Sequence, residues 1–252
     1  MLISKLGEGL PVALATPATR ITWSGRDVAV ETPAGRISAR AAIVTASANV
    51  LAAGRIKFTP DLPKRQLDAV AKLSLGSIDH IAMQLSGNPL ELARDESIIE
   101  QSNGPRTAAL LTHVGASTLC SIGVGGSFGR DLSEQGEAAM GAFAVEWLKK
   151  LFGSDVAAAI KRTSATRWNA APFVLGAMSA AAPGGQSSRR VLTEPVGSIF
   201  LAGEATHETL WGTVDGAWES GENAADAALK KIGPAGGSAP AAPARKQQRR
   251  RM

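Results

Sequence analysis

The feature that most constrains the fold is the segment from Phe200 to Leu229, which reads FLAGEATHETLWGTVDGAWESGENAADAAL. Its short apolar opening predicts a β-strand over Ser198 to Ala202, and its second half has the spacing of a helix over Thr213 to Lys230. The helix face predicted to be buried is made mostly of small residues: Val214, Ala217, Trp218, Gly221, Ala224, Ala225 and Ala228. The segment therefore predicts a buried strand, a loop carrying Glu204 and a tightly packed helix, in that order.

The start of this helix is a candidate binding site. Thr213 is a residue type that caps helices, and the first N–H groups of a helix have no partner within it. Together with the helix dipole, these donors favour an anion or an electron-rich carbonyl group. The alternative is that the small residues only let the helix pack closely on a sheet.

The rest of the chain mixes strands and helices, which predicts an α/β (α+β mixed) fold. Ile21 to Ile43 predicts a three-stranded meander whose last piece, Ala41 to Ala46, is apolar throughout, as in a strand buried on both faces. Asp131 and Glu134 resemble a capping box that begins a helix ending at Phe152 before Gly153. Further helices are predicted over 64–73 and 154–161, and further strands over 78–85, 107–113, 118–124 and 164–168.

Charge and composition exclude several classes of protein. The chain has 27 Lys plus Arg against 22 Asp plus Glu, and five of the basic residues lie in the last eight positions, so the remainder is balanced. The tail from Gly233 is rich in Gly, Pro, Ala and Ser and is predicted to be disordered; binding of nucleic acid, acidic lipid or a partner by it is the alternative. One cysteine and three scattered histidines predict neither disulfides nor a metal site, and without a long apolar run we expect a cytoplasmic protein.

The segment Phe200 to Leu229 is similar to the final flavin-binding motif of the FAD-dependent amine oxidases, the family of monoamine oxidases, polyamine oxidases and flavin histone demethylases. Three other stretches resemble the same family in the expected order: LPVALATPATRITW, ANVLAAGRIKFTPDLP and ATRWNAAPFVLGAMSAAAPG. The resemblance extends from about Gly9 to Ile232 and implies the C-terminal part of the two-domain flavin amine oxidase fold. It divides the chain into an FAD-domain portion (1–63), a substrate-domain portion (64–190), a C-terminal FAD-binding strand, loop and helix (191–232) and the tail (233–252).

The resemblance implies FAD as cofactor and an amine as substrate. It places Glu204 beside the ribose or ribityl chain, the backbone of Thr213 and Val214 against the flavin ring, Trp168 next to the ring and Ala18 near the adenine. Gly203 and Gly212 belong to the same cofactor-binding loop. The implied reaction is oxidation of the amine to an imine, with release of hydrogen peroxide, followed by hydrolysis of the imine.

The sequence departs from the family in the substrate region. Relatives often carry a lysine that holds a water near the flavin, and here GSIDHIAMQL places His80 at that position. His80 is therefore the candidate catalytic residue, the alternative being a histidine satisfied by backbone groups. Met178 and Thr213 replace the two aromatic rings of monoamine oxidases, which leaves Phe173 and Trp211 as candidate pocket residues. Ala171 stands where many relatives have an acid.

The largest departure is the N-terminal dinucleotide-binding unit, a Rossmann βαβ unit, which is absent from this sequence. The only glycine-rich candidate, GVGGSFG from Gly123 to Gly129, has Phe128 where the motif requires its last glycine. We therefore expect either one subunit of a split oxidase with a separate chain as partner, or a fragment of a longer reading frame. The alternative from a different class is a non-catalytic remnant or binding module.

Overall fold

In the computed structural model, which describes residues 2–25 and 27–233, helices pack between three β-sheets. The strands are β1 (Arg20–Thr22), β2 (Val28–Thr32), β3 (Gly35–Ala39), β4 (Ala42–Val44), β5 (Lys57–Thr59), β6 (Ile78–Leu85), β7 (Ser97–Ile99), β8 (Ala109–Leu111), β9 (Leu119–Gly125), β10 (Ile160–Ala165) and β11 (Ile199–Leu201). The helices are α1 (Leu2–Leu6), α2 (Ala48–Ala52), α3 (Lys64–Ala71), α4 (Gly126–Gln135), α5 (Glu137–Phe152), α6 (Val156–Ala159), α7 (Ser188–Thr193) and α8 (Val214–Ile232). The predicted mixed α/β class is confirmed, and the described residues include no N-terminal Rossmann unit.

The first sheet has the order β3-β2-β1-β5, and its first three strands form the predicted antiparallel meander. The third predicted strand, however, is wrong in extent, because the chain leaves this sheet after β3. Its apolar continuation becomes β4, which pairs in parallel with β11, Ile43 lying opposite Phe200. The expected burial on both faces is also wrong: Ile43 is 41% exposed, since β4 and β11 form a sheet of only two strands among the described residues.

The second sheet, β10-β6-β9-β8-β7, is antiparallel throughout and carries the larger core. Residues of β6 alternate between exposed and buried, as expected for a strand with one covered face. Ile81, Met83 and Leu85 point to the core with residues of α5, whereas Ile78 and His80 lie on the face left open. This alternation positions His80 on an open sheet surface.

The predicted long helix from Asp131 to Phe152 is in fact two helices. Gly136 has φ +101° and separates α4 from α5, a conformation that side chains rarely adopt. Asp131 lies inside α4, so the predicted capping box is wrong. The helix does end before Gly153, whose φ is +88°.

The last helix, α8, packs on the β4-β11 sheet with a face that only partly matches the predicted one, since Ala224 and Ala228 are buried as predicted. Its buried residues are Gly216, Ser220, Ala224 and Ala228, which lie four residues apart. The predicted positions Val214 and Trp218 are instead 66% and 52% exposed. Ala217, Gly221 and Ala225 are half-buried, so the error is confined to Val214 and Trp218.

One prediction falls largely outside the described residues, and another is not tested. Apart from Gly233, the tail predicted to be disordered lies there, and the division into portions at residues 63, 190 and 232 stays a prediction. Among the helices that are described, none is both long and apolar enough to span a membrane.

Candidate functional site

The carboxylate of Glu204, just after β11, joins three segments of the chain. Its Oε1 accepts a hydrogen bond from the Ser179 amide (3.0 Å), and its Oε2 accepts from the Ser179 hydroxyl (2.7 Å) and from the Gly212 amide (2.7 Å). A carboxylate offers about four acceptor positions. One position on Oε1 therefore remains for a hydroxyl group that enters from outside the chain.

The start of α8 has the arrangement predicted for it. The Thr213 hydroxyl accepts a hydrogen bond from the Gly216 amide at 3.0 Å and donates to the Leu210 carbonyl at 2.7 Å. The amides of Val214 and Asp215 have no acceptor among the described residues, and the side chain of Val214 is exposed. Two helix donors are therefore available at an open surface.

Gly203, Glu204 and Phe173 line one cleft with a volume of about 440 Å³. Many of its other walls are small side chains: Ala46, Ser47, Ala48, Ala177, Ala202, Ala205 and Ala217. Small walls leave room for a flat group, and Glu204 faces the cleft instead of turning away from it. The chemistry of these donors and walls fits the ring and the hydroxylated chain of a flavin.

Met178 and Trp211 adjoin the same loop. Gly212 has φ +72°, and a Cβ built on it would lie 3.2 Å from the Met178 sulfur, so Met178 packs directly against the loop backbone. Met178 and Trp211 are 45% and 43% exposed, respectively. Met178 and Trp211 thus lie in one region around Glu204, together with three other predicted residues, Gly203, Gly212 and Thr213.

Trp168 is held at the edge of this region by a buried acid. Oδ1 of Asp79, which is fully buried, accepts from the Trp168 amide and from the Thr166 hydroxyl, both at 2.9 Å. The Trp168 carbonyl accepts from the Gly176 amide at 3.1 Å, which closes the loop towards Met178. The indole itself remains 45% exposed.

His80 lies near Trp168 along the backbone, since its carbonyl accepts from the Thr166 amide at 2.9 Å. Its ring is exposed on the open face of β6, and Nδ1 lies 3.3 Å from the Ser121 hydroxyl. The alternative of a histidine bonded to backbone groups receives no support from the hydrogen bonds of the ring. Ala18 precedes β1 and is not among the residues that line the cleft, so its predicted place near the adenine stays a prediction.

Ser179 and Arg189 also belong to this region, although the sequence did not single them out. Arg189, in α7, is fully buried and donates to the Ser179 hydroxyl at 2.8 Å and to the Ala205 carbonyl at 3.0 Å. Burial lowers the pKa of Arg189, whereas the negative charge of Glu204 acts to raise it. The available signal was the helical spacing that puts Arg189 on one face with the apolar Leu192, three residues later.

Among the residues that the structure describes, no group of three or more His, Cys, Asp or Glu side chains comes together as a metal site. The buried Cys120 lies in β9, and burial raises the pKa of its thiol.

Residues 1–229 match the family described as flavin containing amine oxidoreductase. Human lysine-specific histone demethylase 2 is 27% identical over 242 residues, which cover 88% of this chain and 28% of the demethylase. Polyamine oxidase 4 of Oryza sativa subsp. japonica is 29% identical over 238 residues, which cover 92% of this chain and 48% of the oxidase. The chain thus spans less than half the length of either relative.

Two solved structures share the fold. Cyclohexylamine oxidase from Brevibacterium oxydans IH-35A superposes with a TM-score of 0.71 at 22% identity, covering 86% of this chain and 48% of that one. A putrescine oxidase with a redesigned cofactor site gives a TM-score of 0.72 at 18% identity, covering 91% of this chain and 52% of that one. The fold expected from the resemblance is confirmed.

Proposed function

This chain belongs to the flavin containing amine oxidoreductase family, and from that premise we propose that it is the C-terminal half of a flavin amine oxidase. FAD is the cofactor of this family. When bound, FAD supplies the acceptor for a hydride from the carbon next to the amine nitrogen, and reoxidation by oxygen releases hydrogen peroxide. The resulting imine is hydrolysed to the carbonyl product and the free amine or ammonia.

The observation that carries the proposal is the hydrogen bond between Glu204 and Gly212, which holds the carboxylate beside the start of α8. Glu204 faces the cleft with one acceptor position left, and the Val214 and Asp215 amides point donors to an open surface. Glu204 would hold a hydroxyl of the ribose or ribityl chain. The helix amides would hold an electron-rich edge of the ring, because the helix dipole favours negative charge there.

Five further side chains would act on the substrate side. Trp168, fixed by Asp79, would cover one edge of the ring and exclude water from the reacting carbon. His80, exposed beside Ser121, would hold a water or accept a proton near the amine nitrogen. Because Met178 replaces an aromatic ring, guidance of the amine by a pair of aromatic faces is replaced by apolar contact with Phe173 and Trp211.

We also propose that a dinucleotide-binding half, carried by a separate chain or by the same reading frame, completes the site. Supporting this are the apolar side chains exposed around the two-stranded sheet and the outer face of α8: Ile43, Val214, Trp218 and Leu229. Large exposed apolar side chains on neighbouring elements are typical of an interface. A cytoplasmic location remains part of the proposal, and neither a membrane nor nucleic acid is needed as partner.

The test is reconstitution. The chain is purified alone and together with a candidate dinucleotide-binding half supplied as a separate chain, and flavin absorbance and peroxide release are measured with a panel of amines. We expect a yellow, active complex, and loss of bound flavin on Glu204→Gln. The matched control is Glu222→Gln, an exposed acid on α8 that should bind flavin normally.

A colourless and inactive pair would contradict the proposal. It would favour the non-catalytic binding module instead, since that alternative retains the fold but gains no flavin with any partner.

A further inference from the structure

Arg189 is a buried cation whose hydrogen-bond partners are all neutral. It is the largest fully buried side chain among the described residues, and its guanidinium donates to oxygens of Gln186, Ser179 and Ala205. Taking a charge out of water costs free energy, which these neutral acceptors and the negative charge of nearby Glu204 offset in part. A cation in this place therefore calls for an account of what it does.

Its contacts converge on the loop between Glu204 and Gly212. Nη1 donates directly to the Ala205 carbonyl at 3.0 Å. The same nitrogen donates at 2.8 Å to the Ser179 hydroxyl, which in turn donates to Glu204 Oε2. Arg189 thereby holds the beginning of the loop at two neighbouring residues.

The end of the loop is contacted by the face of the same guanidinium. The guanidinium carbon lies 4.9 Å from the centroid of the Trp211 ring, within the range of a cation–π contact. Trp211 directly precedes Gly212, whose amide donates to Glu204 Oε2. One side chain thus contacts both ends of the loop.

We propose that Arg189 is a positioning residue, which sets Glu204 and the start of α8 in the arrangement that receives the cofactor. It acts through Ser179, Ala205 and Trp211 and does not itself line the cleft. The inference deepens the proposed function, on which it rests for the identity of the bound group. Its structural content, that one buried guanidinium orders the loop from Glu204 to Gly212, is testable without any cofactor.

The decisive experiment is amide hydrogen exchange on the full chain with Arg189→Met. Methionine fills much of the space and removes the charge and the donors. We expect exchange in the segment 204–213 to become at least about tenfold faster, while exchange in the sheet core of β6 and β9 stays as in the wild type. The matched control is Arg190→Met, the next residue of α7, which is exposed and should change neither region.

Two further variants separate positioning from general packing. Ser179→Ala, which cuts the link to Glu204 but leaves Arg189 in place, should loosen the same segment. Arg189→Lys keeps the charge without the fork of donors, so the exchange rate should fall between wild type and Arg189→Met. If Arg189→Met does not fold, these two variants carry the test.

Equal acceleration of exchange in the loop and in the β6–β9 core would show a merely structural residue and overturn the proposal, as would an unchanged loop. In the reconstituted complex, Arg189→Met should also weaken FAD binding at least about tenfold relative to Arg190→Met. If no preparation binds FAD, the proposed function fails, whereas the exchange result still decides the role of Arg189.

Discussion

Replacing Gly216 with alanine should destabilise the protein and disturb the candidate flavin site together. A Cβ built on Gly216 would overlap the Leu210 carbonyl oxygen and lie 2.8 Å from the carbonyl carbon, because the loop before α8 folds onto the first turn of the helix. Backbone cannot move aside as the end of a flexible side chain can. The clash should therefore push Leu210 outwards and carry Gly212 away from Glu204.

The magnitude follows from two opposing effects. Overpacking costs about 1–3 kcal/mol, and contact with backbone places this case near the upper end. Alanine recovers about 1 kcal/mol of helix propensity relative to glycine, so the net loss should be about 2 kcal/mol. For a chain of this size that corresponds to a fall in Tm of about 4–8 °C.

The matched control lies on the same helix. A Cβ on Gly221 would meet nothing within 4 Å, so Gly221→Ala should gain the propensity term alone and raise Tm by about 2–4 °C. Thermal unfolding of the two variants beside the wild type measures both effects. If Gly216→Ala melts at the temperature of Gly221→Ala, the loop does not lie against α8 as described and the reasoning is refuted.

Three further predictions concern other parts of the chain. Asp79→Asn keeps an acceptor at the Oδ1 position but places an NH2 group opposite the Asn169 side-chain amide, which donates to Oδ2 at 3.2 Å; this should cost about 1–3 kcal/mol in thermal unfolding, and unchanged unfolding would contradict the network. The hydrogen bond from Lys150 lowers the pKa of Glu100 in the folded protein. The stability that ionised Glu100 contributes should therefore be lost as the pH falls through that lowered pKa, and Glu100→Gln should flatten the acid side of a plot of Tm against pH. Because burial raises the pKa of the Cys120 thiol, a thiol reagent should label it only after denaturation, and rapid labelling of native protein would show that β9 is open.

Local patterns predicted the elements whose shape depends on neighbouring residues. The alternation of β6 gave that strand its observed bounds, and the residue type at Thr213 gave the cap of α8. The same kind of reasoning failed at Asp131, because a capping box needs the chain to enter the helix there, whereas α4 has already begun at Gly126. Local spacing cannot tell a helix start from a helix interior when both carry the same pair of residues.

The remaining errors come from contacts between distant parts of the chain. The apolar run after β3 leaves the first sheet because it pairs with β11, more than 150 residues later. The residues of the run do not indicate which strand it pairs with. Likewise, Arg189 and Arg190 are adjacent and chemically identical, yet only Arg189 is buried. Arg189 is the one that points inwards because its guanidinium can donate hydrogen bonds to the Ser179 hydroxyl and the Ala205 carbonyl.

These long-range contacts explain how half a cofactor site can exist in one chain. Glu204 receives its three hydrogen bonds from Ser179 and Gly212, all within this chain, so the loop needs no second half to take its shape. Pre-organisation of this kind lowers the entropy lost when a ligand binds. In the proposed enzyme, the second half would then contribute affinity for the phosphates, while this chain contributes the geometry at the ring. Changes at Arg189 or Gly216 should therefore weaken flavin binding without weakening the association of the two halves.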